Sequence, residues 1–475
     1  MSARDPRALL VDRLNASALS GTQMAGTQMA GTQMAGTQMA GAQLTFEGVL
    51  PFGDSVLQRY RLQNGLTILV LVDKSAPVVS YYTWFFVGSR HERPGKTGLA
   101  HLFEHLMFNE TSNLKAGDFD KKLEENGAET NAATWVDWTY YYESIPNDRL
   151  PLVIKLESDR MAHLVLREPQ VKSEKEVVAN ERRFRVDDDV EGAASELLYK
   201  TAFAVHPYQW PTIGWMDDIQ SFTPEDCDAF YRTFYAPNNA LIVVVGDVRE
   251  ARLLEQLRQA YGSLPRSTIP ADDAQPEPPQ LEERVITVNK PTATEKLFVG
   301  YHGPALGDAD HASLTLLNEV LFGGRASRMY RSLIIEKEIC SDLRGWVSTF
   351  KDPGLYEMSA TARTGKTTSD ILVVLDTELA RVRAEVVTED ELVRAKARLE
   401  LGLLQSLETM SGKAEQIGFY ETVLGDPVAA FRRLESYRRA SASDLRTAAR
   451  RYLVDRARSL VRVLPDAAIG TEAAQ

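Results

Sequence analysis

Val87-Gly-Ser-Arg-His-Glu-Arg-Pro-Gly-Lys-Thr-Gly-Leu-Ala-His-Leu-Phe-Glu-His-Leu-Met-Phe108 follows a long apolar strand at Val78–Val87 and carries two histidines four residues apart. Thr97 is placed to cap a helix running to about Asn109. Leu99, Phe103, Leu106 and Met107 supply that helix with an apolar face. Residues four apart on a helix are neighbours, so His101 and His105 can reach one ion, and Glu104, three after His101, shares their side. With seven histidines in 475 residues, a chance H-x-x-E-H has a probability of roughly 1%.

Upstream, Tyr60-Arg-Leu-Gln-Asn-Gly-Leu-Thr-Ile-Leu-Val-Leu71 reads as strand, Asn64-Gly65 turn, strand. Downstream come a helix at about 118–126, a strand at about 130–144, helices at about 148–164 and 168–186, and the apolar strand Leu241–Gly246. Residues 264–282 hold Pro265, Pro270, Pro276, Pro278 and Pro279 among acids, the composition of a linker. The pattern then restarts, with strands at 284–289 and 296–302, a helix at 308–322, and a closing strand Ser459–Leu464. Phe230–Gly246 and Ala448–Leu464 both read helix, break, apolar strand, so the chain is expected to be α+β, with two similar halves at 46–263 and 283–467 and a tail at 468–475.

Residues 21–40 repeat Gly-Thr-Gln-Met-Ala four times. A five-residue period fits neither helix nor strand, and the recurring glycine resists helix. Residues 1–45 are therefore expected to be a flexible extension, either a neutral repeat or a docking tail. Lys and Arg number 54 against 66 Asp and Glu, for a net charge of −12. That balance argues against a nucleic-acid surface, which needs clustered cations. Cys227 and Cys340 stand far apart without a CxxC spacing, so neither a disulfide scaffold nor a cysteine metal site is expected. No apolar stretch reaches membrane length, and Ala8–Val11 is too short for a secretory core, so a cytoplasmic location is expected.

Two imidazoles with a neighbouring carboxylate suit a catalytic zinc ion. His101 and His105 would bind the metal, while Glu104 would hold a water beside it and take its proton. This is the zincin motif with the glutamate moved from beside the first histidine to beside the second. Such a site needs a third protein ligand and an open position. Glu174 and Glu181 lie two helical turns apart and point the same way. One could bind metal while the other supports the site, and spacing alone does not say which.

These residues resemble the pitrilysin or insulinase family of zinc peptidases, the inverzincins, and most closely its two-domain branch, which includes mitochondrial processing peptidase. Further support comes from Asn131-Ala-Ala-Thr134, Thr139-Tyr-Tyr141, Leu156–Met161, Pro211–Gly214, Phe234–Leu241 and Gly323–Tyr330. The likeness spans about residues 50–465. It implies two α/β-sandwich halves closing like a clam, with Glu181 as the third zinc ligand and Glu174 supporting catalysis. It also implies that Asn131 and Ala132 lie on an edge strand to which substrate peptide adds as a further strand. One departure stands out. The family's active single chains carry an arginine and, seven residues on, a tyrosine that grip substrate, whereas here Ile334 and Ser341 fall at those places. The resemblance therefore implies the zinc-bearing subunit of a heterodimer whose partner supplies the grip; the competing expectation is a self-sufficient homodimer. The leading reading is a metalloendopeptidase acting on short or unfolded peptides. Its alternatives are a non-catalytic assembly or peptide-binding subunit of the same fold, and a processing enzyme dedicated to one leader peptide.

Overall fold

The structure is a computed structural model and describes residues 5–26 and 43–466. Its strands are β1 (Leu44–Phe52), β2 (Ser55–Leu62), β3 (Thr67–Val72), β4 (Val78–Phe85), β5 (Glu129–Thr134), β6 (Thr139–Pro146), β7 (Ala240–Gly246), β8 (Arg284–Lys290), β9 (Lys296–His302), β10 (Cys340–Val347), β11 (Leu355–Ala362) and β12 (Arg458–Pro465). They form a seven-stranded sheet in the order β1-β2-β3-β7-β4-β6-β5 and a five-stranded sheet in the order β10-β11-β9-β12-β8. The hairpin expected at Asn64-Gly65 is β2–β3, paired antiparallel from Leu57↔Leu71 to Arg61↔Thr67. The single strand expected at 130–144 is instead the hairpin β5–β6, with Thr134 opposite Thr139 and the turn at 135–138.

The two sheets repeat one design. β3–β7 is parallel, and β7–β4, β4–β6 and β6–β5 are antiparallel. β8–β12 is likewise parallel, followed by antiparallel β12–β9, β9–β11 and β11–β10. The central strands β3, β4 and β7 are apolar and almost wholly buried, as strands covered on both faces must be.

Compactness does not follow chain order. One unit gathers the described residues of Met1–Glu176, Asp217–Asp272 and Ser406–Val428; the other gathers those of Val177–Met216, Asp273–Gln405 and Ala429–Gln475. In the first unit, the helix Met410–Leu424, from the second half of the chain, packs on β4 and β7. In the second unit, the helix Val190–Ala202, from the first half, packs on β9 and β12, the strands equivalent to β4 and β7. Each sheet is thus closed on one face by a helix from the other half of the sequence.

The segment expected to be a flexible extension is in part ordered. Pro6–Gly26 is a helix. It starts with Pro at its first position, which suits the fixed φ of proline, and Asp5 Oδ1 accepts the Arg7 N–H at 2.8 Å. Val11 is buried, and the Asn15 side chain both donates to and accepts from the main chain of Leu44. The repeats from 27 to 42 and the tail at 468–475 lie outside the described residues. The proline-rich stretch at 264–282 has neither helix nor strand. Its Asp272 pairs with Arg90, and its Glu277 accepts the N–H groups of Ala204, Val205 and His206. Cys227 and Cys340 are free and buried. Among the described residues no helix is long and apolar enough to cross a membrane.

Candidate metal centre

The histidine helix is Leu99–Leu106, shorter than the expected 97–109, and lies against β5 and β6. Thr97 does not cap it. Gly98 holds the cap position at φ 97, in the left-handed region open to glycine, and the carboxylate of Glu92 accepts the N–H groups of Gly98 and Ala100, each at 2.7 Å. Those are helix-end donors that would otherwise lack helical partners. Thr97 is drawn away because its N–H and hydroxyl both donate to Asp218 Oδ2. At the other side of the helix, Tyr141 donates its hydroxyl to Phe103 O at 2.8 Å. The residue before Glu104 is thereby tied to the sheet.

His101 is buried, while Glu104 and His105 are half-buried and so open to a ligand on one side. The two imidazole centroids are 5.1 Å apart, as four-residue spacing on a helix requires. The acidic helix, Glu168–Arg182, is a single unbroken element carrying both Glu174 and Glu181. Glu174 Oε2 lies 3.9 Å from His105 Nδ1, and its Oε1 accepts from Asn109 Nδ2 at 3.0 Å. Each of His101, His105 and Glu181 offers one ligand atom, all within 4.8 Å of one another, and they are the only such group found among the described residues. Two imidazole nitrogens and a carboxylate oxygen, in a half-open setting, match in kind and number the protein donors of a hydrolytic zinc site. Glu181 also pairs with Arg185 at 2.8 Å, one turn on, where the chain passes into a π-helical turn at Arg183–Asp187.

Asn131 and Ala132 lie in β5, the last strand of its sheet, with β6 as its one strand neighbour among the described residues. Asn131 is exposed, and its Oδ1 accepts the Ala132 N–H at 2.9 Å. An edge strand presents unpaired main-chain groups, and here a side chain covers one of them.

Behind the histidine helix lies a charged group that sequence reasoning missed. Arg160 is buried between Glu143 and Glu157, within 4.5 Å of the ring centroids of Phe119 and Tyr141. Burial, together with the charge of Glu157, pushes the Glu143 carboxyl well above its ordinary range. An acid, Glu143, two residues after Tyr141 on the buried face of β6 was the available signal, but its partners come from another helix.

Residues 68–214 match the family described as Insulinase (Peptidase family M16), and residues 221–399 match one described as Peptidase M16 inactive domain. The zinc protease PqqE of Helicobacter pylori is 31% identical over 373 residues, covering 78% of this chain and 83% of that protein. The chain belongs to the M16 peptidase family. A solved protease from Helicobacter pylori superimposes with a TM-score of 0.83 at 30% identity, over 86% of this chain and 99% of that one. The periplasmic protease PqqL from Escherichia coli shares the fold, with a TM-score of 0.71 at 20% identity over 90% of this chain and 49% of that one.

The second M16 half carries no equivalent donor set among its described residues. Its helix Ala309–Phe322, between β9 and β10, stands where the histidine helix stands between β4 and β5. It contains one histidine, His311, which is buried and bonded to Ser348 O at 2.9 Å. Burial, aided by Arg433, lowers its pKa to about 3. It remains a neutral packing residue. Ile334, at the first place of the expected substrate grip, packs against the second core, and Ser341 at the second is exposed.

Proposed function

We propose that this M16 chain is a zinc-dependent endopeptidase that hydrolyses short or unfolded peptides. The observation that carries the reading is the convergence of Glu181, from Glu168–Arg182, with His101 and His105, which share with Glu104 a helix lying against the edge strand β5. Relatives described as zinc proteases support it. His101, His105 and Glu181 would hold zinc, which when bound acidifies a water and polarises the carbonyl under attack. Glu104 takes the proton of the attacking water and delivers it to the departing amine. Glu174, held by Asn109, keeps His105 oriented. β5 offers its main chain to an extended peptide, with Asn131 giving up its bond to Ala132 N–H as the substrate strand pairs.

The natural assembly in this proposal is a heterodimer, because Ile334 and Ser341 supply neither the charge nor the hydroxyl-bearing ring of a substrate grip. The test is cleavage of a quenched-fluorescent peptide library by the purified, zinc-loaded chain and by Glu104→Gln. Loss of turnover in the variant with zinc retained is the expected result; equal turnover would refute the role of Glu104. Robust cleavage by the wild-type chain alone would refute the need for a partner.

A further inference from the structure

β6 reads Thr139-Tyr-Tyr-Tyr-Glu-Ser-Ile-Pro146, so its tyrosines alternate between the two faces of the sheet. Tyr141 turns to the histidine helix. Tyr140 and Tyr142 turn to the opposite face, where the helix Met410–Leu424 crosses β4 and β7. There they join an aromatic row. Tyr82 stacks on Tyr142 at 4.9 Å, Trp138 stacks on Tyr140 at 5.2 Å, and Tyr140 lies 6.3 Å from Tyr142. Tyr82 is buried, but Trp138, Tyr140 and Tyr142 are only half-buried, so the row is open to a ligand. Glu129 and Asn131 of β5 sit opposite Ser144 and Tyr142 and share this face, with Tyr142 Oη 3.5 Å from Glu129 Oε1.

Glu415 completes the group from the helix Met410–Leu424, one turn from Ser411, whose hydroxyl lies 2.7 Å from Tyr82 Oη, and three residues before Gly418, which meets Trp84. It is exposed, with no hydrogen-bond or ion-pair partner found among the described residues, and the nearby Lys413 is taken by Asp73. It is nevertheless crowded enough that desolvation raises its carboxyl above the ordinary range. Burial pushes up the hydroxyls of Tyr82, Tyr140 and Tyr142, and the charge of Glu415 adds to the rise in each. Ring faces are electronegative and a carboxylate is anionic, so the group lacks one thing, a cation.

We infer that Trp138, Tyr140, Tyr142, Glu129 and Glu415 form a subsite for a lysine or arginine side chain of a peptide added to β5. The inference rests on the peptidase reading and deepens it. In an added strand, the side chains level with Asn131 and Ala133 turn to the aromatic row, and those between them turn to the histidine helix. The subsite therefore reads a cation at one register position rather than net peptide charge.

The experiment titrates zinc-loaded, full-length Glu104→Gln protein with extended decapeptides that differ only by lysine or norleucine at one scanned position. Lysine is expected to bind about tenfold more tightly than norleucine at alternate positions, an amount that a desolvated cation–π contact with a carboxylate supplies. Adding Glu415→Gln, an exposed change that leaves the melting temperature in place, is expected to cut that ratio to about twofold, and Tyr140→Leu to reduce it as well. Equal affinity for lysine and norleucine at every position overturns the subsite and leaves the peptidase reading standing. A lysine preference unmoved by both substitutions overturns it too. Absence of saturable binding by any of the peptides overturns both.

Discussion

At Glu104, His101, His105 and Glu181 the chemistry of individual side chains decides what the chain can do. A general base contributes about 10²- to 10⁴-fold to a rate. Glu104→Gln is therefore expected to lower peptide turnover by about that factor, while metal analysis still finds one zinc per chain. Glu181→Gln removes the carboxylate proposed as the third ligand and should instead release zinc to a chelator that leaves the wild type loaded. Glu174 lies 3.9 Å from His105 Nδ1 and outside the donor set, so Glu174→Gln is expected to weaken zinc by about 10- to 100-fold, as changes to a ligand's support do. A competition titration with a fluorescent zinc indicator separates the three. Zinc retention in Glu181→Gln at wild-type affinity would remove Glu181 from the site. The Arg185–Glu181 pair is mostly exposed on its arginine side, and pairs of that kind add little to stability.

Elements place those side chains, and here close approach matters more than propensity. The histidine helix is held at its start by Glu92 and at its middle by Tyr141. Tyr141→Phe removes the bond to Phe103 O but keeps the ring packed. It is expected to cost about 1 kcal/mol of stability, seen in chemical denaturation, and to lower turnover more than it raises KM. The exchanged helix Met410–Leu424 comes so near the sheet at Gly418 that a Cβ there would run into the indole of Trp84. Gly418→Ala should destabilise the first unit by about 1–3 kcal/mol through overpacking, a lower melting temperature being the readout. An unchanged melting temperature would mean that this helix does not pack as described. The element boundaries also show what a sequence hides. Thr97 has the chemistry of a cap, yet Asp218, far along the chain, takes both its donors.

Across the molecule, the strand order β3-β7-β4-β6-β5 recurs as β8-β12-β9-β11-β10, one design used twice, and among the described residues the donor set His101, His105 and Glu181 has no counterpart in the second half of the chain. In the second unit, Glu357 of β11 accepts the hydroxyl of Tyr199 on the helix Val190–Ala202. Burial lifts the Glu357 pKa to about 7, against the smaller opposing effect of that bond. A carboxyl raised on folding binds its proton more tightly in the native state, so its contribution is full below the unfolded value of about 4.3 and is lost as pH rises towards 7. Glu357→Gln is therefore expected to flatten the decline in stability between about pH 4.5 and 7, by up to roughly 3 kcal/mol. Urea denaturation across that range is the measurement, and parallel curves for variant and wild type would show that Glu357 does not titrate there.

Much of the candidate site was legible along the chain because its geometry is local. Four-residue spacing sets His101 beside His105, seven-residue spacing sets Glu174 and Glu181 on one side of a helix, and Asn64-Gly65 sets a hairpin; each follows from backbone periodicity alone. The repetition of two α+β halves was legible for the same reason. What required the tertiary structure was every relation between distant segments. The Glu92 cap, the Arg160 cluster and the split of 130–144 into two strands depend on partners that no local period announces. The exchange of Val190–Ala202 and Met410–Leu424 is the largest case, since a helix that buries one face reads alike whichever sheet receives it. The sequence by itself determined that His101, Glu104 and His105 share one side of one helix. Only the fold decided that Glu181 converges with the two histidines and that an open aromatic row lies beside the edge strand, because both depend on packing between segments the chain keeps far apart.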